Sequence, residues 1–257
     1  MVEVIVIVES GADARTATKL AERVLKEKFD WLDDDSLQYY FQWTGLESET
    51  EFSCWRDIIK IIEDAKEKLK YKPSRFLGHD SNGVPLKADG AASIKVLNLV
   101  RFLQRTRQIK AILFIRDLDN QPERKEGIEQ ARLEHLNKTP KLEIIIGAAD
   151  PKREAWVLNG FIAFDDEKVI LEDIKNKLSF DPSIEPKRLR STSEKEPERI
   201  RNIKFVVEQL TGKDMEREKQ CWEETSLEIL RVRGVKTGLM AYLQEVEERL
   251  SVIILSE

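Results

Sequence analysis

The residues of this chain best suited to chemistry are carboxylates. Asp117 and Asp119, spaced Asp-Leu-Asp, close the apolar run Ala111-Ile112-Leu113-Phe114-Ile115. Glu9 closes a second run, Val4-Ile5-Val6-Ile7-Val8, and Asp13 follows four residues later. Asp150 and Glu154 follow a third, Leu142-Glu143-Ile144-Ile145-Ile146. Along a strand, residues i and i+2 share a side, so a strand carried through Asp119 would hold both aspartates on one edge. At ~4 Å two such charges repel by about 4 kcal/mol for an effective dielectric near 20. A hard divalent cation offsets that repulsion most directly, and Mg2+ or Mn2+ is satisfied by a few carboxylates plus water. Such an ion can neutralise and polarise a phosphodiester and activate water, and two ions about 4 Å apart can clamp both the attacking and the leaving oxygen. Neutralising one acid of such a cluster, as in Asp119→Asn, is expected to raise the stability of the metal-free protein.

Each acid also has an ordinary use. Asp-x-Asp after a strand serves turns and helix caps, because Asp bonds nearby backbone amides. Asp13 suits the first turn of a helix, beside the positive end of its dipole. Glu154 can pair with a neighbouring Lys or Arg, and His79 reads as a loop histidine. A carboxylate at the end of a buried strand, as at Glu9, needs a partner. No H-x-x-x-H or C-x-x-C spacing supports zinc, no G-x-x-x-x-G-K-[ST] marks a P-loop, and no G-x-S-x-G marks a nucleophile elbow.

The elements that must position these acids alternate. Residues 2–8 form the clearest strand, nearly continuous and apolar, as expected for a strand covered on both faces. A helix is expected over about 13–28, with Ala17, Leu20, Ala21, Val24 and Leu25 on its apolar stripe. The section from about 29 to 75, with Trp31, Trp43 and Trp55, reads as an insertion or edge element whose last helix starts at Trp55. Phe76-Leu77-Gly78-His79-Asp80 reads as a strand end or loop, and residues 81–90 as a loop. A helix over about 91–106, the aspartate strand over 110–116, a polar helix over about 123–136 and a strand over 141–146 follow, and Arg153 begins another helix. This order predicts an α/β fold with a mainly parallel sheet flanked by helices, its strand-end acids converging on one edge. Beyond about 165 a helical C-terminal extension is expected. It has helices over 167–178, 200–210, 214–230 and 239–250, and a charged, proline-containing linker over 181–197.

The 257 residues allow one large domain, or a core with an appendage. No apolar run approaches the roughly 20 residues that span a bilayer, and the start lacks the basic n-region of a secretory leader. Two cysteines without a C-x-x-C pattern fit a reducing cytoplasm. A net charge of −5 excludes a globally basic nucleic-acid coat, while leaving room for a local basic patch.

Together, Val4-Ile5-Val6-Ile7-Val8-Glu9-Ser10-Gly11-Ala12-Asp13 and, about a hundred residues later, Leu113-Phe114-Ile115-Arg116-Asp117-Leu118-Asp119 resemble the TOPRIM domain of topoisomerases, primases and overcoming-lysogenization-defect (OLD) nucleases. That family places one glutamate after the first strand and Asp-x-Asp after a later one, binding magnesium between them. The pairing of Glu9 with Asp13 looks like the OLD-type arrangement. Ala149-Asp150-Pro151-Lys152-Arg153-Glu154-Ala155-Trp156-Val157-Leu158 is similar to a segment of small stand-alone TOPRIM-like bacterial proteins that often accompany an ATPase in phage-defence cassettes. The likeness covers about the first 165 residues and, more loosely, the tail. The chain departs from the pattern in having Ser10 after the glutamate, Asn120-Gln121 after Asp119, and a long interval between motifs.

The resemblance implies a TOPRIM-like, Rossmannoid domain over 1–165 and a Mg2+-dependent nuclease that cleaves nucleic-acid phosphodiesters, of DNA more than of RNA, in antiviral defence. Glu9, Asp13, Asp117 and Asp119 would hold metal, and Glu154 would join Glu9, Asp117 and Asp119 in catalysis. Arg116, Lys152 or Arg153 could stabilise charge on the phosphate. A non-catalytic metal- and phosphate-binding assembly module beside an ATPase partner is the alternative. Primase-like nucleotidyl transfer ranks third, since no zinc or primer-handling domain is evident.

Overall fold

The computed structural model describes residues 1–73 and 78–255; Phe76 and Leu77, read from sequence with the strand end or loop, lie outside them. Strand β1 (Val2–Val8) forms where the apolar run begins, and its Val4–Val8 stretch has no exposed surface. At about 1.5–3 kcal/mol per fully buried aliphatic side chain, this strand is a large share of the core. Helix α1 (Gly11–Lys28) follows, then α2 (Asp34–Tyr40), β2 (Phe41–Thr44), the two-residue β3 (Ser53–Cys54) and, after a 3-10 turn at Trp55–Asp57, α3 (Ile58–Lys68). Next come α4 (Gly90–Leu103), β4 (Ile109–Asp117), α5 (Glu123–Leu133), β5 (Glu143–Ala149) and α6 (Arg153–Gly160).

All strand pairings are parallel, in the order β2-β1-β4-β5, with β3 also against β1. The section read as an insertion therefore supplies the outer strand, β2 pairing with Val2–Ile5. The chain leaves β1 towards β2 on one side and returns as β4 on the other. This reversal makes the carboxyl ends of β1 and β4 the switch point of the sheet, where α/β sheets bind ligands.

Alternation sorts the core. Val4, Val6, Val8, Leu113 and Ile115 pack with α1 and the C-terminal helices, while Ile5, Ile7, Ile112 and Phe114 pack with α3, α4 and α5. Strand β5 runs three residues past the apolar run, through Gly147-Ala148-Ala149. A side chain at Gly147 would put its Cβ 2.5 Å from Ile115 Cδ1, so glycine is needed for close packing there.

The C-terminal helices are α7 (Asp165–Leu178), α8 (Ile203–Leu210), α9 (Met215–Glu223), α10 (Leu227–Arg233) and α11 (Leu239–Glu245); a π-helical turn at Val246–Leu250 leads into α12 (Ser251–Leu255). The single helix expected over 214–230 is two. Thr225 leaves the helix to donate its hydroxyl to the Gly160 carbonyl at 2.6 Å, and Ser226 caps α10 by accepting the Ile229 N–H. Trp156 stacks on Tyr242 (5.1 Å between centroids), and the Tyr242 hydroxyl donates to the Ala17 carbonyl, tying α6, α11 and α1 together. Among the described residues no helix is long and apolar enough to cross a membrane.

Candidate functional site

The carboxyl ends of β1, β4 and β5 share one edge, and the acids singled out from sequence all follow or close those strands. The structure separates Asp117 from Asp119. β4 ends at Asp117, whose side chain lies on the α1 face while Arg116 lies on the α4 face beside the Trp55 ring. Asp119 is past the strand, in a left-handed backbone (φ +47) fixed by its N–H on the Pro151 carbonyl at 2.9 Å. Alternation therefore does not orient it.

Asp117 is 9% exposed. One carboxylate oxygen accepts the backbone N–H of Arg153 at 2.9 Å. Its carboxyl is pushed up to about 8, first by burial and then by the charges of Asp13, Glu154 and Glu9, against the pull of that N–H. Asp13, buried in the first turn of α1, accepts the Ser10 hydroxyl at 2.5 Å and has Arg153 Nε at 3.9 Å. Glu154, in the first turn of α6, has Arg153 Nη2 at 3.9 Å and Lys204 Nζ at 4.0 Å, too far for hydrogen bonds. Glu9 accepts Arg116 Nη1 at 2.7 Å and lies 3.9 Å from Arg124. Burial raises its carboxyl above the usual range, with Asp119 and Asp13 adding to the effect and Arg116 and Arg124 opposing it.

Asp119 has the opposite surroundings. Burial works against its charge, but Lys152 Nζ and Arg124 Nη1, each at 2.8 Å, outweigh it and hold the carboxyl below the usual range. The Asp119→Asn effect expected from sequence thus changes sign: the substitution removes two ion pairs and should destabilise. Asp150 faces outward, paired with Lys187 at 2.8 Å and Arg190 at 3.0 Å.

Three side chains play parts here that the sequence did not show. Asp89 accepts Arg116 Nε at 2.7 Å. Arg124 donates to the Asp117 carbonyl at 2.8 Å. Arg153, considered there only as a phosphate contact, is buried, carries the N–H that orients Asp117, and pairs with Glu218 at 2.7 Å. Their partners are 27 to 65 residues away in all but one case, so no local motif marks them.

The donors at Glu9, Asp13, Asp117 and Glu154 are all carboxylate oxygens, the kind a hard cation takes. An acid at the end of a buried strand, surrounded by other acids, fits such a cation better than it fits solitude. Among the described residues, no three Asp, Glu, His or Cys side chains are already grouped closely enough to encircle an ion. Cation binding at this edge would draw the acids inward. Comparison of the chain with protein-family models, with curated proteins and with solved structures gives no match. The site is therefore interpreted from its own residues.

Proposed function

We propose that this chain is a nuclease of TOPRIM type that hydrolyses nucleic-acid phosphodiesters, DNA in preference to RNA, with Mg2+ or Mn2+. The observation that carries the reading is that Glu9, Asp13 and Glu154, from separate strand ends and the helices after them, lie near enough to the Asp117 carboxyl to act on its charge at the switch point of the sheet. Glu9, Asp13 and Asp117 would hold the metal, with Asp119 joining once released from its cations. When bound, the ion supplies charge neutralisation and a more acidic water. The Arg153 N–H fixes the Asp117 carboxylate in place. Glu154, without a hydrogen-bonded cation among the described residues, is placed to take a proton from water. Lys152 and Arg124 are placed to meet non-bridging phosphate oxygens. Action within a phage-defence system, with an ATPase partner, is the setting the resemblance proposes.

A second reading is a non-catalytic metal- and phosphate-binding assembly module. It is favoured by Arg116, Arg124 and Lys152, which already occupy Glu9 and Asp119. Plasmid, single-stranded DNA and RNA incubated with the pure protein in Mg2+ or Mn2+ separate the two. The nuclease reading expects cleavage that falls at least a hundredfold in Glu9→Ala and in Asp117→Ala. Cleavage unchanged in both variants removes this site from the chemistry. Metal binding by calorimetry without cleavage, alone or with the ATPase, selects the module.

A further inference from the structure

The charged segment over 181–197 looks like a linker in sequence, yet it is built into the fold. Leu189 is fully buried, Asp181 accepts from the Ser183 N–H and hydroxyl, and Ser191 pairs with Asn202 in an isolated parallel bridge. Anchored in this way, the segment brings cations to the carboxyl edge. Lys187 Nζ lies 2.8 Å from one oxygen of Asp150, and Arg190 Nη2 lies 3.0 Å from the other. Arg190 also donates to the Asn120 side chain, next to Asp119. Beyond the segment, Lys204 at the start of α8 reaches towards Glu154.

Around the β4 and β5 ends, Asp119 and Asp150 are met by four cations, Arg124, Lys152, Lys187 and Arg190. At these two carboxylates cations outnumber acids, in a chain whose net charge is −5. Lys187, Arg190 and Lys204 are 43%, 38% and 60% exposed, so an incoming anion can reach them. The edge is thus two-sided: buried acids at Glu9, Asp13, Asp117 and Glu154, and a half-exposed cationic rim beside them. Lys187 and Arg190 come from one segment and converge on the Asp150 carboxylate, while Lys204 comes from α8 and lies beside Glu154, so the rim has cations at two places. Two places suit charges repeated along a strand, whereas one free phosphate would occupy only one of them.

We propose that Lys187, Arg190 and Lys204 form a backbone clamp. It holds phosphates of a nucleic-acid strand next to the phosphate presented to the acids, and Asp150 is the internal stand-in that phosphate displaces. The identity of the ligand as nucleic acid rests on the nuclease reading; the clamp's residues do not. The test is the anisotropy of a labelled single-stranded DNA, with and without unlabelled RNA or inorganic phosphate as competitor. It is run in chelator, so that no cleavage occurs, over a series of salt concentrations. Lys187→Glu with Arg190→Glu should weaken binding at least tenfold and reduce the slope of log K against log salt by about 1.4, near 0.7 for each lost single-strand contact. Lys187→Arg with Arg190→Lys should keep binding within about threefold. Asp150→Asn should tighten binding severalfold by freeing both cations, which a merely structural pairing would not do. Unchanged affinity and slope in the Glu variant, no strand binding by the wild type, or displacement by millimolar phosphate as effective as by RNA would each overturn the clamp. Strand binding lost in the Glu variant, with no cleavage by any form in Mg2+, would keep the clamp and dismiss the nuclease. Cleavage with an unchanged KM in the Glu variant would do the reverse.

Discussion

Strand β1 carries a glutamate near each end, and both are paired with arginine. At the amino end, Glu3 accepts from Arg107 Nε at 2.9 Å and from its Nη2, and from Thr44 at 3.1 Å. Arg107 spends its other donors on the Thr44 hydroxyl and on the Gly45 and Leu46 carbonyls. One acid meets one base, and both are satisfied by the β2 turn. At the carboxyl end, Glu9 shares Arg116 with Asp89, and Arg124 lies within 3.9 Å of Glu9, Asp89 and Asp119. The residue types and the strand are the same; the sharing differs. A closed pair is architecture, whereas acids and bases that share one another can exchange partners, as binding requires.

This contrast can be broken first at the closed pair. Arg107→Ala strands Glu3 with most of its surface covered and should cost about 3 kcal/mol in chemical denaturation. It should leave cleavage per folded molecule unchanged; a loss of activity without a loss of stability would erase the distinction between the two ends. The second test is Asp117→Asn in chelator. Because folding raises this carboxyl from the usual range to about 8, the unfolded chain ionises first as pH rises. The wild type should then lose stability from about pH 4 up through about pH 8. The amide keeps an acceptor for the Arg153 N–H, so the variant should match the wild type near pH 4 and gain on it by about 1.4 kcal/mol for each pH unit up to pH 8. Equal stabilities at both pH values would mean that Asp117 is not held among acids. The smallest effect expected is for Asp119→Asn, a loss of about 1 kcal/mol at neutral pH. With its carboxyl held below the usual range, Asp119 contributes stability above pH 4 that disappears as pH falls through its lowered value. The difference from wild type should therefore close in acid, and a stabilised variant would return Asp119 to the crowded acids.

Much of the frame could be read from residue order, because β1, β4 and β5 are apolar runs that end in acids. β2 could not: its four residues run buried, exposed, half-buried, buried, too short and irregular a span to leave a pattern. The break between α9 and α10 has neither glycine nor proline, and its cause, the Gly160 carbonyl, is 65 residues away. At the site, sequence marked most of the acids through their spacing and named Arg116, Lys152 and Arg153 as phosphate contacts, but it showed neither Asp89 and Arg124 nor which base pairs with which acid. Asp117 and Asp119 look equivalent in a motif, and only Lys152, Arg124 and the packing around Asp117 tell them apart.

The turn after β5 has a consequence for the order in which the molecule is made. The Thr237 carbonyl accepts both the Asp150 N–H and the Trp156 indole N–H, at 3.0 Å each. Gly238, at φ +81, lies so close to the Ala148 carbonyl that a Cβ there would be 2.0 Å from its oxygen. The turn that bears Asp150, Lys152 and Glu154 is thus finished by residues about ninety positions downstream. On a ribosome, the strands can pair while the later helices are still being synthesised, but the acids reach their final arrangement only after residues 237–242 have emerged and docked. A growing chain would carry a sheet before it carried the finished edge.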